Sequence, residues 1–337
     1  MQRPLEGTSI AAQQNREAVR KPRIEHALRR RSQRMTRLPT CLAFLGLIVG
    51  CTATTDSGHP STNDLADVDP AYPPAMIEAK FESDGSVLSG LVYVANGPGP
   101  HPTTVFLHGF PGNERNLDLA QALRRAGTNT VYFTYRGTWG NAGGFSPEHA
   151  LEDAAALLAT VRDSAWAAQT RSDPDRVALL GHSFGGFVGA LAAAGDPAVR
   201  CYAHLAGANL GALALASRDD PSIRQAVRAS FGIDMVASGG AVDAHVDTLI
   251  TQIESRAEEY LTPAYAADLA SRPLLVVAGT RDEVTPKEVH HDPLVAALAE
   301  AGADRVTEVV YDDDHSFSAH RIDLARRLVD WQATECW

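Results

Sequence analysis

Val177-Ala178-Leu179-Leu180-Gly181-His182-Ser183-Phe184-Gly185-Gly186-Phe187 carries an apolar run into a stretch of small residues, with a serine between two glycines. The aliphatic run reads as a buried strand, and Val188, Ala190, Leu191 and Ala192 continue as a helix. A turn this sharp admits no side chain at Gly181 or Gly185. The serine hydroxyl then stands clear of the backbone at the mouth of a parallel sheet. The bare pattern Gly-x-Ser-x-Gly occurs by chance in glycine-rich chains; the strand before it and the helix after it give it meaning. The alternative is a structural serine in an ordinary βα turn.

The same alternation extends to both sides. Ala79 to Val94 reads as a hairpin around Asp84-Gly85, and Thr103 to Leu107 as a short buried strand running into His108-Gly109-Phe110-Pro111-Gly112. Asn116 to Ala126 is helical and stops at Gly127; Thr130 to Tyr135 is the next strand. Ser146, as N-cap, and Pro147 open a long helix running to about Trp166, and Asp173-Pro174-Asp175-Arg176 turns the chain into the Ser183 strand. Beyond the turn, strands at Cys201 to Leu205, Leu274 to Ala278 and Val306 to Tyr311 alternate with helices at Pro286 to Ala301 and Ala319 to Trp331. Such βαβα order predicts an α/β fold, a mostly parallel sheet with helices on both faces. Residues 209–271 break the rhythm, being helical in pattern without a clear strand, and are expected to form a cap over the C-terminal ends of the strands.

At 337 residues and 45% hydrophobic content the chain can bury one large α/β core or two small ones. Ten of its 30 Lys and Arg and three of its 41 Asp and Glu fall in the first 50 residues, leaving 20 basic against 38 acidic in the rest. So acidic a body repels phosphate backbones, which argues against nucleic-acid binding. Four cysteines are too few for a disulfide scaffold. Cys201 lies in an apolar strand and Cys336 at the chain end, and Cys201 is expected as a buried free thiol.

Residues 1–34, rich in Arg and Gln, read as disordered, or as an untranslated extension if synthesis begins at Met35. From Met35 a basic Arg37 precedes the ten-residue apolar stretch Cys41 to Gly50, too short for a permanent membrane span, so 35–50 reads as an export signal. Residues 51–74, rich in Thr, Ser, Asp, Gly and Pro, suit a flexible tether ahead of a folded body at 75–337. Ile48-Val49-Gly50-Cys51 resembles the lipobox of bacterial lipoproteins, which implies a lipid on Cys51 and attachment to a bacterial membrane; the alternative is an ordinary secreted protein. No Walker loop, dinucleotide fingerprint or metal-ligand spacing is present, so no cofactor or metal is expected.

His108-Gly109-Phe110-Pro111-Gly112, Tyr135-Arg136-Gly137, Gly181-His182-Ser183-Phe184-Gly185-Gly186 and Gly279-Thr280-Arg281-Asp282 resemble the α/β-hydrolase fold family. The likeness covers about residues 80–335 and is greatest to bacterial esterases; the same motifs recur in the catalytic domains of prolyl-oligopeptidase-type peptidases and in dienelactone-hydrolase-like enzymes. It implies a Ser-His-Asp triad and an acyl-enzyme. Ser183 is the expected nucleophile and needs a base to take its proton. His315, after the last strand in Asp312-Asp313-Asp314-His315, holds the family's position for that base, ahead of His108, His182 and the pair His290-His291. Asp282 holds the position of the acid, with Glu283 as near rival, while Asp312 to Asp314 read as solvated loop charge. The oxyanion donors implied are the backbone N–H groups of Phe184 and Phe110. Phe110, Trp139, Phe145 and Phe184 are candidates for the acyl pocket, although loop packing explains Trp139 and Phe145 equally well. The expected activity is hydrolysis of carboxylic esters. A peptidase of the prolyl-oligopeptidase type is the alternative, disfavoured because only about 75 residues precede the body where those enzymes carry a propeller. A non-catalytic surface lipoprotein is the remaining one.

Overall fold

The computed structural model describes residues 58–337. The signal at 35–50, Cys51 and the start of the tether lie outside them. Residues 58–74 run along the body: His59 Nε2 meets Asp330 Oδ1 at 2.9 Å, Arg125 Nε donates to the Pro60 carbonyl at 2.6 Å, and Arg171 donates to that of Pro73 at 3.0 Å.

The first half of the body runs β1 (Ala75–Ser83), β2 (Ser86–Val94), β3 (His101–Leu107), α1 (Leu117–Arg125), β4 (Asn129–Phe133), α2 (Pro147–Val161) and α3 (Ser164–Thr170). The nucleophile candidate lies between β5 (Ser172–His182) and α4 (Phe184–Gly195), and β6 (Val199–Leu205) follows. Then come α5 (Leu210–Asp219), α6 (Pro221–Gly232), α7 (Val246–Ser255) and α8 (Ala266–Leu269). The chain closes with β7 (Leu274–Gly279), α9 (Lys287–His290), α10 (Asp292–Glu300), β8 (Val306–Tyr311) and α11 (Arg321–Trp331). Eight strands form one sheet in the order β1-β2-β4-β3-β5-β6-β7-β8; β1 and β2 are antiparallel to their neighbours and the rest are parallel.

Both faces of the sheet are covered, and the strands show why. In β5, Val177 and Leu179 enter one core and Ala178 and Leu180 the other; in β7, Leu274 and Val276 alternate with Leu275 and Val277 in the same way. Side chains two apart share a face, so a strand buried on both sides must be apolar throughout. Helices α2, α4 and α10 supply Leu157, Phe187 and Leu294 to the first core, and α1 and α11 supply Leu123 and Leu328 to the second. Each such side chain, removed from water, contributes about 1.5–3 kcal/mol.

Several local expectations change. The long helix after Ser146 is two helices, because the Asp163 carboxylate accepts from Ala165 N–H and Trp166 N–H and starts a new one. Asp173 to Arg176 belong to β5 rather than to a turn before it, and the helix over 286–301 divides at His291. Cys201 is not a free thiol: it is disulfide-bonded to Cys336, 135 residues later. Cys201 lies on the α11 face of β6, and the segment after α11 folds back to meet it. Spacing alone held no sign of that tertiary contact.

The order of strands positions the site. The chain builds β4 outward on one side of β3 and then places β5 on the other side. The loops after β3 and β5 therefore diverge across a crevice at their C-terminal ends, where open α/β sheets bind ligands. Residues 209–271 lie above it; α5 to α8 make the region helical, with isolated bridges only, at Val242.

Candidate active site

The elbow between β5 and α4 holds Ser183 at φ 58°, ψ −125°, which costs a non-glycine residue about 1–3 kcal/mol. Its surroundings hold it there. Ser183 N–H donates to the Leu205 carbonyl at 3.1 Å, and the Ser183 carbonyl accepts from Gly186 and Ala208 N–H, both at 2.8 Å. The flanking glycines are a steric requirement. A Cβ on Gly181 would stand 2.1 Å from the Gly185 carbonyl oxygen, and one on Gly185 would stand 2.0 Å from that of Leu107. Ser183 is 8% exposed, at the surface of a cavity.

Asp282 follows β7 and His315 follows β8, neighbouring parallel strands, so their loops emerge side by side. Asp282 Oδ2 accepts from His315 Nδ1 at 2.7 Å and lies 2.7 Å from the Thr285 hydroxyl. Oδ1 accepts from the N–H groups of Val284 and Thr285, both at 2.8 Å. Burial pushes this carboxyl upward, but the His315 bond and charge and the Thr285 donors outweigh it and hold it down at about 2. His182 Nε2 donates to the His315 carbonyl at 2.9 Å, with the two rings 4.8 Å apart, so the elbow and the His315 loop are tied directly. Burial pushes His182 down to about 4, which keeps that ring neutral. The Ser183 hydroxyl makes no hydrogen bond to His315, an arrangement common in sites without bound substrate.

The rivals point elsewhere. Glu283 is exposed and makes no bond to His315; Asp312 pairs with Arg281 at 2.9 Å. Asp313 corrects the expectation of solvated charge: it is buried, bonded to His320 Nδ1 at 2.7 Å and to the N–H groups of Asp314 and Ala319. Asp314 accepts from Ser316 and Ser318 N–H, both at 3.0 Å, and so shapes the loop.

Across the crevice, His108 is buried after β3. Its Nδ1 donates to the Gly109 carbonyl at 2.7 Å, Nε2 accepts from Tyr135 N–H at 3.5 Å, and burial pushes it down to about 4. It is therefore neutral and structural. The N–H groups of Phe110 and Phe184 have no hydrogen-bond partner among the described residues. Phe110 packs against Phe145 with ring centroids 5.6 Å apart and against Phe231 at 4.9 Å, and Phe145 against Phe184 at 5.6 Å, all with tilted rings. Trp139 does not face the cavity. Its indole donates to the Pro111 carbonyl at 2.8 Å under the Arg115 guanidinium, bracing the Phe110 loop.

A cavity of about 500 Å³ opens beside Ser183, floored by Phe184 and Thr285 and roofed by Val227 and Phe231 of α6 and Leu249 of α7. A larger groove of about 700 Å³ along α2 and α4 includes none of these residues. Residues of the expected cap over 209–271 form the cavity roof, and His290, which no sequence pattern marks for it, completes the wall. Only the chain's crossing of the sheet brings them there, although the amphipathic spacing of Ile223, Val227 and Phe231 was a visible sign of one apolar face.

The alpha/beta hydrolase family matches residues 104–328, and the chain belongs to that family. Among solved structures it is similar to 2,6-dihydroxy-pseudo-oxynicotine hydrolase (18% identity, TM-score 0.55, covering 79% of this chain and 70% of that one). It is also similar to an esterase of Pyrococcus furiosus (14%, 0.55, covering 81% and 98%). An acylaminoacyl peptidase of Pyrococcus horikoshii aligns at 16% identity and TM-score 0.56, with 78% of this chain covering 42% of that one. No curated protein sequence matches.

Proposed function

We propose that the protein is a serine hydrolase cleaving carboxylic esters through Ser183, His315 and Asp282. The observation that carries the reading is the 2.7 Å bond from His315 Nδ1 to a buried carboxylate, on loops flanking the strained Ser183 turn. His315 takes the Ser183 proton on Nε2 as Oγ attacks the ester carbonyl. Asp282 favours the imidazolium that forms. The tetrahedral oxyanion accepts from the N–H groups of Phe110 and Phe184, each such donor contributing about 2.7–4 kcal/mol to the transition state. Collapse expels the alcohol, which takes the proton from His315, and water repeats the steps to free the acid. The apolar cavity under α6 holds the acyl group.

The test is a series of 4-nitrophenyl esters of graded length beside aminoacyl-anilides. Ester turnover lost by roughly 10⁴ or more in Ser183→Ala and in His315→Ala, with little further loss in the double variant, supports the reading, since the pair acts as one unit. Anilides cleaved faster than esters would make it a peptidase. Undiminished turnover in Ser183→Ala would remove the assignment.

We propose further that the enzyme is exported and lipid-anchored at Cys51. A buried disulfide, Cys201 to Cys336, accords with an oxidising compartment. A two-chain anchor resists salt and yields to detergent. Fractionation of Cys51→Ser beside wild type tests it: release of the variant alone is expected, and both proteins soluble with one processing point would make it a secreted enzyme.

A further inference from the structure

His290 closes α9 and lines the same cavity as Ser183, at 6% exposure. Its two ring nitrogens have different fates. The Asn209 backbone N–H donates to Nδ1 at 2.9 Å. A backbone amide can only donate, so Nδ1 is the acceptor and the ring proton sits on Nε2. Burial pushes the group down to about 4, so the ring is a neutral donor. Nε2 has no protein partner among the described residues. It also differs from Nε2 of His204 and Nδ1 of His182 and His291, which are sealed among protein atoms without partners, because it stays open to the cavity.

Apart from the Ser183 hydroxyl, which the proposed reaction uses, no buried side chain in the wall offers a comparable donor. Thr285 is turned inward, its hydroxyl 2.9 Å from the Ala206 carbonyl and 2.7 Å from Asp282, and Ser230 lies on an exposed part of α6. Asp234 and Glu283, when ionised, can only accept. A buried N–H facing an apolar cavity without a partner loses free energy that a ligand acceptor would restore. We infer that His290 Nε2–H is a substrate-recognition donor, selecting esters whose otherwise apolar acyl chain carries one oxygen acceptor, an ether, hydroxyl or keto oxygen. This rests on the reading of Ser183 as nucleophile and of the cavity as acyl site, and it adds the acyl class.

The experiment pairs alkyl 4-nitrophenyl esters with analogues in which one methylene is replaced by an ether oxygen, moved one position at a time: butanoate with methoxyacetate, pentanoate with 3-methoxypropanoate, hexanoate with 4-methoxybutanoate. Each ratio of kcat/KM is divided by the ratio for alkaline hydrolysis, which removes the electronic effect of the oxygen. One position should be favoured by roughly 10-fold in wild type. His290→Asn can keep an acceptor for the Asn209 N–H while falling short of the Nε2 position. It should lose the preference, bringing the variant's own ether-to-alkyl ratio of kcat/KM to about 1, whatever its absolute turnover. His290→Gln reaches that position with an amide N–H and should restore part of it. Alkyl esters cleaved with no position favoured in wild type, or a preference unchanged in His290→Asn, would overturn the role of His290 and leave the hydrolase reading standing. Calorimetric affinities of the matched N-alkyl amides separate the two claims from the other side. An ether preference there that depends on His290 supports the donor even if no ester is turned over; equal affinities overturn it. Should one variant fail to fold, the other's ether-to-alkyl ratio decides, and a wild type with no favoured position overturns the role by itself.

Discussion

Asp282→Asn replaces one oxygen by an NH₂ group, and the surrounding bonds dictate how the new amide sits. Val284 and Thr285 N–H both donate to Oδ1 at 2.8 Å, so the Asn oxygen must stay there and its NH₂ must face His315 Nδ1. A donor then opposes a donor. The imidazole relieves this by moving its proton to Nε2, where it can no longer accept from Ser183, and kcat should fall by about 10³–10⁴ with KM changed only a few-fold. Stability responds too. A carboxyl held at about 2 rather than 3.8 contributes about 2 kcal/mol. Because the folded value is the lower one, that contribution is fully present above roughly pH 4 and is lost as pH falls toward 2. The variant should therefore show a shallower decline of stability across that window. The assay is steady-state hydrolysis of a short 4-nitrophenyl ester beside circular-dichroism melts from pH 2 to 7. Near wild-type kcat in Asp282→Asn, with severe loss in Glu283→Gln, would refute the reasoning.

Other consequences follow from the packing. Replacing Cys201 and Cys336 by Ala releases a loop of 135 residues, whose closure constrains the unfolded chain by up to about 5 kcal/mol. Tm should drop by roughly 10 °C, as should that of reduced wild type, and an unmoved Tm in either would exclude this role. Arg136→Met leaves Asp153, fully buried and bonded to Arg136 at 2.8 Å, without its charge partner and should cost about 3–5 kcal/mol in a urea titration. Most of that loss should return in the double variant with Asp153→Leu, and its persistence would place the cost elsewhere. Phe231→Ala removes the ring 4.9 Å from Phe110, and should lower kcat/KM for medium-chain esters about 10-fold while sparing acetate. Equal losses on both would mean that α6 does not contact the acyl chain.

What could be read from the sequence was whatever a short segment specifies by itself. The elbow was legible because two glycines flank a serine within five residues, although only Gly181 has its steric cause there and Gly185 meets Leu107 of β3. The strands were legible because burial on both faces demands apolar runs. Asp282 and His315 were singled out by the family resemblance, on loops after β7 and β8, and they meet because those strands are adjacent. Contacts made across the fold left no local trace. Cys201 reaches Cys336 only because the chain returns after α11, and Asp313 is buried only because His320 turns back over it. His290 was one of two adjacent histidines until the Asn209 amide, 81 residues earlier, distinguished its nitrogens.

The central claim is that Ser183 is a nucleophile activated by His315. A fluorophosphonate followed by peptide mass spectrometry tests it directly, since the reagent leaves a stable adduct on an activated serine. Wild type should carry one adduct, on the peptide containing Ser183. Ser183→Ala should carry none, and His315→Ala should label slower by several orders of magnitude. An unmodified Ser183 in wild type, or labelling at the same rate without His315, would contradict the account.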